Sequence, residues 1–142
     1  MLVGQLALIL AAAFTGAAIY VSVAEQPARL VLDDSSSLRQ WQSSYPRASV
    51  MQASLAVFSA LLGLAAFWSS TDWRWLAGAV LIFANVPYTV LVILPINKRL
   101  QAAAPAAADA GTRDEIEAWA RLHLVRNALG LLATAVYLWA VR

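Results

Sequence analysis

Trp119, His123 and Arg126 are the residues whose types and spacing first point to chemistry. On a helix they share one face with Asn127, Gly130, Thr134 and Tyr137. His123 is the chain's single histidine. Imidazole ordinarily titrates near neutrality and its neutral form accepts a proton, so His123 is the candidate base. Arg126, one turn on, is placed to hold an oxyanion electrostatically. Trp119, Tyr20 and Tyr45 are faces on which an aromatic ligand can stack, and Asn97 and Thr89 can orient a carbonyl. Gln52 and Asn85 complete the candidate pocket, with Glu25 at its edge. A lone histidine excludes a two-histidine haem or a multi-histidine metal site within one subunit. The absence of cysteine excludes disulfides, a thiolate nucleophile and cysteine-held zinc or iron–sulfur clusters. The sequence therefore offers no cluster of metal ligands.

What positions these residues is a set of apolar stretches. The 142-residue chain is 61% hydrophobic and 13% charged, with a mean hydropathy of +0.66. Soluble domains average roughly 45–50% apolar and about 25% charged, so a soluble enzyme and a disordered chain are both excluded. Met1–Ala24, Ala48–Thr71 and Trp75–Asn97 carry no charged side chain, and Trp119–Val141 holds His123 and Arg126 near its start. Each is long enough to cross a hydrocarbon core of roughly 30 Å as a helix. The prediction is an all-α, integral membrane, antiparallel four-helix bundle in one domain, 1–142, with helices at about 2–24, 48–70, 74–95 and 113–141. The first stretch reads as a retained span, since it lacks a basic n-region and exceeds the usual signal-peptide apolar length of about 7–15 residues.

The loops predict orientation and local structure. Arg29, Arg39, Arg47, Lys98, Arg99, Arg113 and Arg121 fall on one side, and Arg74 and Arg142 on the other. Both long loops are therefore expected in the cytoplasm and both termini outside, in the cell inner (plasma) membrane. Trp68, Trp73, Trp75 and Trp139 read as an outer aromatic belt. Leu38, Trp41 and Tyr45 read as one face of a short helix lying at the membrane surface. Gln101–Gly111 is an Ala/Pro-rich linker, followed by a capping box with Thr112 as N-cap and Glu115 at N3, and Glu117 is placed to pair with Arg121.

Antiparallel packing gathers the polar residues at the cytoplasmic end and leaves the outer half to Ala, Leu, Val and Phe. Each polar residue also has a structural reading. Arg126 can snorkel to the surface, His123 can bond a loop carbonyl, and Glu25 with Arg29 forms a surface pair at a helix end. Asn85 and Thr89 can bond between helices, while Gly63 and Gly130 allow close packing. Their convergence on one end favours a pocket, because intramembrane ionisable groups are costly.

Asn85-Val86-Pro87-Tyr88-Thr89, Ile93-Leu94-Pro95-Ile96-Asn97-Lys98-Arg99-Leu100 and the Trp119-x3-His123-x2-Arg126 pattern resemble the signature of anthrone oxygenase-like membrane proteins. Glu25-Gln26-Pro27-Ala28-Arg29 and Trp41-x3-Tyr45-x-Arg47, with Gln52, are similar to that family's first-loop features. The resemblance implies a four-helix membrane protein that oxidises anthrones to anthraquinones with molecular oxygen as co-substrate and without metal or flavin. The implied partners are the lipid bilayer and a small aromatic or hydrophobic ligand. A net charge of +2 is too small to indicate nucleic acid, and a homo-oligomer is left open. Two other classes fit the same composition: a non-enzymatic membrane subunit or small-ligand-binding protein, and a small multidrug-type transporter. The last would place a carboxylate in mid-membrane, whereas Glu25 falls at a helix end.

Overall fold

In the computed structural model, which describes residues 2–142, the chain forms four long helices joined by short connections. They are α1 (Leu2–Leu30), α2 (Asp34–Ser70), α3 (Trp73–Ala102) and α4 (Ala110–Val141), each long and apolar enough to cross a membrane. No strand occurs among the described residues. This is the expected all-α four-helix bundle, and its apolar helices mark a membrane protein. Around the bundle each helix packs on its neighbours in chain order, and α4 closes the ring against α1.

The half that holds Gly4, Gly63 and Tyr137 is built from small residues meeting large ones. A Cβ on Gly4 would lie 2.4 Å from the Trp75 ring, and one on Gly63 would lie 2.0 Å from the Tyr137 hydroxyl. Close backbone approach of this kind drives association where lipid removes the hydrophobic incentive. Few polar groups occur in this half, and they are paired. Ser59 donates to the Ala7 carbonyl at 2.8 Å, Tyr137 donates to the Ser59 carbonyl at 3.2 Å, and Thr15 meets Thr134 at 3.0 Å.

Several local expectations are corrected. Trp75 is buried over Gly4 and belongs to the core, whereas Trp68, Trp73 and Trp139 are exposed as a belt requires. The expected surface helix carrying Leu38, Trp41 and Tyr45 is the first third of a single 37-residue α2 that runs through Pro46. Pro46 removes one N–H, but Leu38 and Trp41 are fully buried, and that burial holds the two halves in line. At 1.5 Å per residue α2 is roughly 55 Å long, so its first turns stand outside a hydrocarbon core of about 30 Å. Helix α4 begins one turn early, with Asp109 as N-cap and Thr112 at N3 of a reciprocal box. Glu115 is thereby free to pair with Arg99 at 2.7 Å. The ion pairs formed among the described residues do not include Glu117 with Arg121. Backbone amide donation from Ser36 and Thr112 holds the cap carboxyls of Asp33 and Asp109 below the usual carboxylate range, and the Arg74 guanidinium, helped by its own amide, does so at Asp72.

Candidate functional site

The polar end is built from two irregular helices and two regular ones. Helix α1 widens to a π-helical turn at Val21–Glu25 just before Pro27, and α3 does so at Thr89–Ile93, between Pro87 and Pro95. Each proline lacks an N–H and frees a carbonyl one turn back, which loosens the helix. Widened turns of this kind recur at functional sites. Cross-ties fix the four helix ends against one another. Arg113 of α4 donates to Asp34 at 2.7 Å and to the Leu30 carbonyl at 2.8 Å. Gln42 of α2 donates to the carbonyls of Leu100 and Ala103 at 2.8 Å each.

Inside this frame lies a cavity of about 20 Å³ whose wall includes Tyr45, Gln52, Asn97, Trp119, His123 and Arg126. Its aromatic wall is ordered by contact. Trp41 stacks on Tyr45 with centroids 4.7 Å apart and planes 6° from parallel, and meets Trp119 edge-on at 5.7 Å. Trp119 in turn stacks on the His123 ring at 5.1 Å. Asn97 donates its amide to the Tyr45 hydroxyl at 2.9 Å, which fixes the tyrosine ring.

Two buried arginines flank the cavity and are handled oppositely. Arg29, 2% exposed, donates to Glu25 at 2.8 Å, to Gln26 and to Gln40, and its guanidinium lies 5.7 Å from the Trp119 ring centroid. The expected surface pair with Glu25 is therefore a buried network that braces the back of Trp119. Arg126, 9% exposed, has no carboxylate partner and an unbonded Nε, and its guanidinium lies 5.4 Å from the Phe14 ring centroid. Around it, His123 has no protein partner for either ring nitrogen, and Gln52 Oε1, Asn85 Oδ1, Thr89 Oγ1 and Asn97 Oδ1 are likewise unbonded. A buried polar atom left unpaired costs about 1–3 kcal/mol. Natural cores leave few such atoms without a protein, water or ligand partner, and here several gather around one cavity.

Of the residues expected at the site, His123, Arg126, Asn97, Tyr45, Gln52 and Trp119 surround this cavity. Asn85 and Thr89 line an adjoining cleft, with Tyr45 and Arg126 common to both. Tyr20 is a correction: it is 62% exposed and lines neither space. The buried face of α1 runs through Ala11, Phe14, Thr15, Ala18 and Val21, and Tyr20 falls on the opposite face. Val21 and Ser44 line the cavity without having been singled out in the sequence; a lone valine and a lone serine carry no local signal. No group of three His, Cys, Asp or Glu side chains comes together among the described residues.

A family model described as anthrone oxygenase matches residues 41–136, a segment that runs from Trp41 past His123 and Arg126. No curated protein and no solved structure matches the chain.

Proposed function

The chain belongs to the anthrone oxygenase family, and from that premise we propose that it is a membrane-embedded, cofactor-independent oxygenase acting on anthrone-like or other enolisable aromatics. One observation carries the reading. An unpartnered imidazole and an unpartnered guanidinium share a helix face, among aromatic rings, in an apolar bundle. Enolisation needs that pair: a base for the ring methylene proton and a cation for the oxygen on which charge develops.

His123 takes the proton, leaving an enolate whose oxygen is held by Arg126. The electron-rich enolate passes an electron to oxygen, the radical pair joins as a peroxide anion, and the protonated His123 returns its proton to give a ring hydroperoxide. Loss of water then breaks the O–O bond and the second C–H bond and leaves the quinone carbonyl. One anthrone and one oxygen molecule give one anthraquinone and one water. Tyr45, whose ring borders both the cavity and the adjoining cleft, supplies a flat wall for the ring system, and Asn97 and Thr89 supply polar atoms that orient the carbonyl. The transporter alternative finds no free carboxylate here, since Glu25 is bonded to both Arg29 and Gln40.

The proposed setting is the cell inner membrane, with the site at the cytoplasmic end. Arg39, Arg47, Lys98, Arg99 and Arg121 crowd that end of the chain's topology, against Arg74 and Arg142 at the other, as the positive-inside bias requires. Oxygen uptake by the protein in lipid vesicles supplied with anthrone tests the chemistry. A positioned base contributes typically about 10²–10⁴-fold, so His123→Ala should lose that much while remaining folded. Parental rates in both His123→Ala and Arg126→Lys would overturn the assignment.

A further inference from the structure

The cavity beside His123 holds about 20 Å³, room for a single water and far too little for a tricyclic aromatic. Beside it, between α2 and the inner half of α3, lies a cleft of about 290 Å³, the lower end of the range for small-molecule sites. Helix α2 packs closely on the outer half of α3 and touches little of its inner half, because α3 is interrupted after Phe83 and widened at Thr89–Ile93. The cleft is where the two helices part.

Its surfaces differ sharply with depth. Tyr45, Ser49 and Ala53 come from α2, Asn85 and Thr89 from α3, and Arg126 from α4. Asn85 is 1% exposed, its amide N–H donates to the Ile82 carbonyl at 3.0 Å, and its Oδ1 has no partner. The outer rim is Val50, 69% exposed, and Val90, 53% exposed. These valines lie in membrane-spanning stretches, so the rim meets hydrocarbon. Toward the outer membrane face the seam continues as a wholly apolar groove of about 270 Å³ lined by Val57, Leu61, Val80 and Phe83 among others.

Resting on the oxygenase reading, we infer that the substrate enters sideways from the bilayer through this α2–α3 cleft and docks there before reaching His123. The ligand class is a planar aromatic with oxygen at one edge and hydrocarbon at the other. Its carbonyl oxygen meets the donors of Arg126 and Thr89 at the back of the cleft, a hydroxyl at the same edge donates to Asn85 Oδ1, and its hydrocarbon edge faces the valine rim and the apolar groove. Tyr45 borders both spaces, held by the Asn97 amide and by stacking on Trp41, so its ring is the partition between docking cleft and base.

The chain contains no cysteine, so one engineered thiol reads the cleft cleanly. In lipid vesicles, Ala53→Cys should react with a lipophilic maleimide and resist a charged thiol reagent applied from either side. Anthraquinone should slow the lipophilic reaction about tenfold, and a sulfonated anthraquinone held in water should not. Val125→Cys, on a lipid-facing part of α4 (42% exposed), should be slowed by neither. Independently, Ala53→Phe should weaken quenching of native tryptophan emission by anthraquinone about tenfold. Unchanged labelling with anthraquinone, equal protection by the sulfonate or ready attack by the charged reagent would each overturn the lateral route. Loss of protection with His123-dependent oxygen uptake intact sinks this inference alone. Protection without any oxygen uptake by the parent sinks the oxygenase reading and leaves the cleft standing.

Discussion

Replacing each of the two buried arginines by leucine should move stability in opposite directions. Arg126 has no carboxylate partner, and its Nε bonds nothing. On insertion scales an arginine at the bilayer centre costs about 2.5–3.5 kcal/mol and a leucine gains about 0.3–0.6. The substitution at full depth is thus worth roughly 3–4 kcal/mol. Arg126 lies about 10 Å along α4 from Trp119, at 1.5 Å per residue, so it sits short of the centre and part of that figure applies. Arg126→Leu should therefore gain about 1–3 kcal/mol in a reversible unfolding assay in mixed micelles, while oxygen uptake disappears. Arg29→Leu removes the partner of Glu25, Gln26 and Gln40 together, and breaking a buried pair from one side costs about 3–5 kcal/mol. Arg126→Lys keeps the charge and loses the planar fork, so it should stay folded with severely reduced turnover. An Arg126→Leu variant that unfolds more easily than the parent, or an Arg126→Lys variant with full activity, would refute the reasoning.

Tyr45→Phe removes the acceptor of the Asn97 amide; a neutral bond worth about 0.5–1.5 kcal/mol predicts a two- to twelve-fold fall in kcat/KM for anthrone. Gly63→Ala puts a Cβ 2.0 Å from the Tyr137 hydroxyl, so unfolding should become easier by about 1–3 kcal/mol. Tyr137→Phe in the same chain should recover part of that, since the nearest clashing atom is the hydroxyl. Ala107→Cys, in the linker between α3 and α4, should react with an impermeant maleimide from the cytoplasmic side; reaction only from outside would reverse the orientation.

The bundle was legible because its signals are long. Four apolar runs each match a bilayer's thickness, and no local exception can hide them. The missed boundaries are all places where tertiary burial overrode a local cue. Pro46 reads as a break, yet Leu38 and Trp41 before it are completely buried, and that packing carries α2 through. Thr112 followed by Glu115 reads as a start, yet Asp109 offers the same reciprocal geometry one turn earlier. Trp75 reads as a belt residue by composition. Only the approach of α1 through Gly4, a long-range fact, moves it into the core.

The site divides along the same line. His123 and Arg126 were legible because helical spacing puts them on one face, and an isolated ionisable pair in apolar sequence is costly enough to need a reason. Tyr20 failed for a related cause. Its type suggested stacking, but the small and apolar residues at Ala11, Phe14, Ala18 and Val21 already define the inward face, and a tyrosine two residues from Ala18 points away from it. What no local pattern carries is the difference between the two arginines. Arg126 stands in an apolar stretch, and Glu25 one turn before Arg29 looks like an ordinary surface pair. The satisfaction of Arg29 depends on Gln40, brought back by the turn between α1 and α2. The isolation of Arg126 depends on what α2 and α3 fail to place beside it. A charge neutralised by its own network holds Trp119 in position, and a charge left unneutralised is available to an incoming oxygen. That distinction is a property of the packed bundle, and it is the one on which the proposed chemistry turns.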